Sequence, residues 1–448
     1  MINVLSFILL SWLFVQVFRG RNTQALIAIA FLIPINVFPF SRLDFPLHIG
    51  AYAIWTFWLA ARLKGEWIQR NAQTLIKISP LVILIWMGVV FGLLNSGQIQ
   101  RYDTFTKLEP VQQLINITAF LLTVIVFVRI FTGYVSEPAV RYKLMAAFSA
   151  SSILHLAANV ASFSFIRFFI PDFLISKPTI TFESTFGIVI PRYAARLGSY
   201  EFVADFSLIV LAFSLINISR NQYRLLSWIS IAASMIIGIM SGTRSLFIIL
   251  AIFIVMLIFY QRKKLGSVLK YGVVGVIFII IAMPFIISYF QNSPLFARIL
   301  DTIYKYQTQG LVGASNRNFE AGFMSLINFG SIFGLGSYYL NTLGPSEIVS
   351  HNVLFAMYGK YGVYGLAFML GLFYKAYSTS KKVLKFSPDE SARNESAFFL
   401  ALLFALFAQE MKYSFIRDMS SILVYALMFM TLFVFTRSEH RLEKGNPA

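Results

Sequence analysis

Residues 225–260 read LLSWISIAASMIIGIMSGTRSLFIILAIFIVMLIFY. Two apolar runs, 225–240 and 245–260, are separated by only four residues, SGTR. The apolar residues are continuous rather than alternating, which predicts helices and not half-buried strands. A helix rises 1.5 Å per residue, so about 20 such residues cross the ~30 Å of a bilayer's hydrocarbon. Lipid offers no partner for an open sheet edge, which leaves helices as the spanning element.

The same pattern recurs along the chain, giving thirteen expected spans within a range of twelve to fourteen. They fall near 2–18, 23–40, 45–61, 75–94, 111–131, 144–165, 201–218, 225–240, 245–260, 268–289, 351–374, 396–413 and 418–436. Composition agrees: of 448 residues 58% are hydrophobic and 12% charged, with a mean hydropathy of +0.73. That is too little polar surface to coat a soluble domain. The expected fold class is therefore all-α: one integral-membrane domain over 1–448, a polytopic helix bundle. Its first run lacks the basic region and cleavage site of a removed signal and is read as a retained span. Two long polar connectors interrupt the bundle, 166–200 and 290–350, the second with expected interfacial helices.

The net charge of +18 would point to nucleic acid in a soluble protein. Here it divides between two faces, and no nucleic-acid partner is expected. Cytoplasmic connectors retain Lys and Arg during insertion. Counted by connector, 23 of the 37 positive residues lie on one side, including Arg141, Arg220, Arg224, Lys381 and Arg393. That side is the expected cytoplasm, and both long loops lie opposite. Nine arginines fall on the outer side: Arg42, Arg101, Arg167, Arg192, Arg196, Arg244, Arg298, Arg317 and Arg417. Arginine's planar fork suits phosphate and carboxylate. Arg42, Arg101, Arg167 and Arg298 are also well placed to snorkel to lipid head groups. Cysteine is absent, which excludes disulfides and thiolate metal sites.

Neither a phosphate-binding Gly-rich loop nor HExxH nor GxSxG occurs, and no metal or cofactor is expected. Four features on the outer side remain. His351 opens a span in SHN; it suits a general base, since a helix N-terminus favours neutral imidazole, or a capping cluster with Ser350. Arg244 lies in the SGTR connector at the membrane boundary, with backbone donors suited to an anion, or it faces head groups. Arg192 and Arg196 precede a span and would share one face if that segment is helical. Arg317 stands in GASNRNFEAGFMSLI, before an amphipathic run that can lie in the interface.

Three stretches carry a resemblance to a known family: RLGSYEFVADFSLIVLAF from Arg196, SGTRSLFIILAIF from Ser241, and the outer loop NRNFEAGFMSLI, FGLGSYY and SHNVLFAMYGKYGVYG. Over roughly 192–365 the chain resembles the O-antigen polymerases and O-antigen ligases. These are membrane glycosyltransferases of GT-C type that use undecaprenyl-diphosphate-linked glycans. The resemblance implies His351, Arg244 and Arg317 as the catalytic set, with Arg192, Arg196, Asn352 and Arg417 binding diphosphate or glycan. It implies inverting, metal-free transfer on the periplasmic face of a bacterial inner membrane. Implied partners are the undecaprenyl-diphosphate-linked oligosaccharide, membrane lipid and a chain-length regulator protein. Only 34 residues separate Arg317 from His351, compact for a loop that must embrace a lipid-A core, which favours polymerase over ligase. A lipid-linked oligosaccharide flippase is the competing class, but it would show related halves and charges in mid-span.

Overall fold

The computed structural model describes residues 11–12, 14–32, 34, 80, 83–84, 86–88, 90–91, 138–161, 178–183, 189–193, 202–243, 245–261, 301, 303–308, 332–334 and 353–412. The principal elements are α1 (Asn22–Leu32), α2 (Pro138–Ala161), β1 (Pro178–Glu183), β2 (Val189–Tyr193), α3 (Phe202–Ser219), α4 (Arg224–Met240), α5 (Ser245–Tyr260), α6 (Val353–Phe386) and α7 (Glu390–Lys412). Apart from one hairpin the described chain is helical, and two helical segments, Phe202–Ser219 and Glu390–Met411, are long and apolar enough to cross a membrane. Of the other expected spans, those near 45–61, 111–131, 268–289 and 418–436 lie outside the described residues.

The paired runs that opened the reading are the α4–α5 hairpin, and α4 shows how the sequence selects its surroundings. Its Ser227, Ser230 and Ser234 are buried, whereas Leu225, Trp228, Ile229 and Ile236 are exposed. Polar inside and apolar outside reverses the amphipathicity of a water-facing helix and suits a hydrocarbon solvent. The inward serines hold helices together. The Ser207 hydroxyl of α3 donates to the Ser234 carbonyl at 2.8 Å, and the Ser152 hydroxyl of α2 lies 3.1 Å from the Ser230 carbonyl. Small side chains let the backbones approach, and a hydroxyl satisfied by a neighbouring carbonyl leaves no polar group facing lipid. Around this seam, Phe148 of α2 packs edge-on to Phe213 of α3, centroids 5.4 Å apart.

These contacts set direction. Asn217 at the end of α3 donates to the Tyr142 carbonyl near the start of α2, so α2 and α3 are antiparallel. Tight turns reverse the chain again at 220–223 and at 241–243, and a third at 387–389 joins α6 to α7. The bundle therefore has two ends. One holds the start of α2, the α3–α4 turn and the α6–α7 turn and is called here the Arg220 end. The other holds the end of α2, the start of α3, the α4–α5 turn and the end of α7, and is called the Ser241 end.

Three sequence expectations are corrected. The span at 351–374 runs as a 34-residue helix, Val353–Phe386, interrupted at Gly362 with φ 63° and ψ −154°. Lys375, Lys381, Lys382 and Lys385 thus extend the helix instead of forming a loop, because they favour helix and no Gly or Pro lies between Lys375 and Ser387. The helix expected at 396–413 begins at Glu390, where the Asp389 carboxylate accepts from the Ser391 backbone N–H at 3.0 Å as an N-terminal cap. Third, the first long loop contains an antiparallel β1–β2 pair, within a described chain that is otherwise all-helical as expected.

Candidate functional site

That hairpin decides the fate of one arginine pair. Arg192 lies on β2, opposite Ile180 of β1. Residues 189–191 are Val-Ile-Pro, β-branched side chains followed by a residue unsuited to a helix interior, so an extended chain wins. The condition on which Arg192 and Arg196 were to share a face, a helical segment, is therefore not met at Arg192, which stands on a strand. Arg196, Arg244, Arg317, His351, Asn352 and Arg417 lie outside the described residues.

Their described neighbours are informative. Arg244 follows the turn Ser241–Thr243, in which Gly242 takes φ +60°. The Ser241 hydroxyl donates to the Gly238 carbonyl at 2.7 Å and lies 2.8 Å from the Thr243 hydroxyl. Flanking Arg244, Thr243 and Ser245 are each only 4% exposed. Across from Ser245, Gln409 of α7 donates its amide to the Ser245 hydroxyl at 3.1 Å. This connector is thus embedded in protein, not laid on the bilayer surface as an ordinary surface turn would be.

α6 begins at Val353, two residues after His351, and at the Ser241 end α3 begins at Phe202, six residues after Arg196. Ionisable and amide side chains that the sequence reading passed over collect there too. His155, Asn159, Asp205 and Glu410 are each 0% exposed, and His155 meets the Phe206 ring edge-on at 5.2 Å. A usable signal did exist: an acid alone within an apolar run, as Asp205 in FVADFSLIV, marks a functional position by default.

At the Arg220 end lies a second polar assembly, also missed. Glu395 of α7 accepts from Arg220 Nε at 2.9 Å and from Nη2 at 2.6 Å. The same oxygen accepts the Tyr142 phenol at 2.7 Å, and Arg141 lies 3.5 Å from the other oxygen. Side-chain exposures are 2% for Glu395, 4% for Arg141 and 20% for Arg220. Burial first, and then the negative field and hydrogen bond of Glu395, push the Tyr142 phenol above its ordinary pKa of 10.0. It therefore stays protonated and able to donate. Two arginines counted only as markers of the cytoplasmic side are thus bound to one carboxylate that ties α2, the α3–α4 turn and α7 together.

The other described cations near the helix ends divide unevenly. Lys143, Arg224, Lys381, Lys382, Lys385 and Arg393 also lie toward the Arg220 end, while Lys412 lies at the Ser241 end. No family model matches this sequence, and no curated protein sequence matches it.

Proposed function

We propose that the chain is a multi-pass glycosyltransferase of a bacterial inner membrane that polymerises lipid-diphosphate-linked glycan repeat units. The observation that carries this reading is the buried setting of the residues flanking Arg244, with Thr243 and Ser245 each 4% exposed. Lipid-facing snorkelling does not call for such a setting. Support also comes from the helix termini adjoining Arg196 and Arg244, which share the Ser241 end, while among the described residues positive charge gathers at the opposite end, as insertion favours for a cytoplasmic face.

In the proposed reaction His351 takes the proton of an acceptor sugar hydroxyl. The hydroxyl oxygen bonds to the anomeric carbon from the face opposite the leaving group, inverting it. The carbon–oxygen bond to the diphosphate breaks, and that electron pair leaves with the undecaprenyl diphosphate. Arg244 and Arg317 stabilise the growing charge. Arg192, Arg196, Asn352 and Arg417 hold diphosphate or glycan, membrane lipid surrounds the bundle, and a chain-length regulator protein is the expected partner.

The test is reconstitution of the purified chain with one lipid-diphosphate repeat unit. A ladder of products supports polymerase; transfer only on adding lipid-A core selects a ligase. The interruption of α6 at Gly362 favours a second reading, since broken helices serve lipid-linked oligosaccharide flippases and other transporters. Movement of lipid between leaflets without new glycosidic bonds selects that class. Arg244→Lys is expected to lose about 100- to 1,000-fold in kcat, the range for removing one charge-stabilising donor, since an ammonium lacks the bidentate fork. Unchanged turnover would return Arg244 to a lipid-facing role.

A further inference from the structure

The break in α6 is occupied. At Gly362 the backbone lies in a region that is essentially glycine-only, so Val363 loses its place in the i→i−4 ladder. Its N–H is instead donated to the carbonyl of Ile332, at 2.9 Å. Ile332, Phe333 and Gly334 belong to the second long loop, in the glycine-marked run SIFGLG. A Cβ at Gly362 would run into the Ile332 carbonyl oxygen and stand 2.6 Å from the Phe333 carbonyl carbon and 2.7 Å from the Gly334 nitrogen. Three residues of the loop thus seat their backbone in a notch that only glycine leaves open.

The notch is also closed from a third side. Phe91 stacks on Tyr364 with centroids 5.3 Å apart and meets Phe333 at 5.2 Å. Nearby, a Cβ on Gly88 would stand 2.9 Å from the Tyr361 Cβ. The break is therefore held by the helical stretch around Gly88 and Phe91, by the loop and by the rest of α6. It lies about 13 Å along the helix from Val353, at 1.5 Å per residue. A broken helix persists where neighbouring protein satisfies the freed backbone groups, and here the Ile332 carbonyl accepts the Val363 N–H.

We infer that Ile332–Gly334 is a socket that fixes the direction of the half-helix Val353–Tyr361, and so positions His351 two residues ahead of it. Resting on the reading of His351 as the base, this makes Gly362 and Phe333 positioning residues. They act on the rate of proton removal, while the diphosphate is held by arginines on other segments.

The full chain in membranes tests this through Gly362→Ala and Phe333→Ala, assayed with a lipid-diphosphate repeat unit. Gly362→Ala is expected to lower kcat about 10- to 100-fold with KM within about 2-fold, as a misplaced catalytic group costs on the order of 100-fold. Phe333→Ala shifts kcat the same way by less. Unchanged kcat in both overturns the socket.

Since the chain has no cysteine, Ile332→Cys with Val363→Cys gives a clean proximity readout with a short bifunctional thiol reagent. Cross-linking with turnover retained supports a fixed socket, and Gly362→Ala should lower the yield. No cross-link, or a cross-linked protein without activity, overturns it. His351→Ala run alongside separates the two ideas. Full activity there removes the base whatever Gly362 does, whereas an inactive His351→Ala with a normal Gly362→Ala removes only the socket.

Discussion

His351→Ala is expected to abolish glycan chain growth in cells lacking another polymerase, while the protein still inserts and accumulates at normal levels. A positioned general base typically contributes about 100- to 10,000-fold, enough to take a processive polymer below detection. Imidazole is the suitable group because its unperturbed pKa lies near neutrality, and the start of a helix favours the uncharged form that accepts a proton. The helix that follows it begins at Val353, and Val353 itself is fully buried. Loss of the side chain should therefore leave the packed part of α6 intact. The measurement is polymer length on gels beside membrane protein level; normal polymer would remove His351 as the base. If Ser350 and His351 only cap the helix, the variant should instead lower stability by about 1 kcal/mol and keep its activity.

The second large effect concerns stability. Glu395→Ala removes the one anion that, among the described residues, pairs with Arg141 and Arg220, leaving one buried and one half-buried guanidinium at the Arg220 end without it. Breaking a buried ion pair from one side costs about 3–5 kcal/mol, because the remaining charge is left uncompensated. Unfolding of the detergent-solubilised protein, followed by denaturant titration, should shift by that amount. Replacing Glu395, Arg141 and Arg220 together with methionine should recover much of the loss, as apolar substitutes often do for a complete buried ionic group. A Glu395→Ala protein that unfolds like the parent would mean the network holds nothing.

Tyr142 adds a pH arm to this test. Its folded pKa is raised, so its stabilising contribution is complete below the ordinary phenol value and is lost only as pH climbs through the raised folded value. Across neutral pH the network is thus expected to be insensitive to Tyr142, and Tyr142→Phe should alter stability equally at pH 6 and pH 8.

Hydropathy alone determined much of this molecule. Uninterrupted apolar runs favour helices, so α3, α4 and α5 fall within a residue or so of their expected bounds, and a turn at Ser241–Thr243 follows α4 as read. Among the described residues Lys and Arg remain uneven between the two ends, because their side depends on which end of a helix each residue joins. Local chemistry also contains the hairpin: β-branched residues and Pro191 around Arg192 favour extended chain, and the helical reading there ignored them.

Tertiary structure alone decided what needs two distant segments to meet. Glu395 and Arg220 are 175 residues apart, and nothing in either neighbourhood announces the other. Gly362 reads as one of several glycines in a small-residue helix. Only the arrival of Ile332–Gly334 turns it into a break, because a carbonyl from another part of the chain must supply the acceptor that the helix ladder no longer provides. Pattern reports what one stretch prefers by itself; where a backbone or charge is satisfied by a remote partner, the preference is set by packing, and packing has no one-dimensional trace.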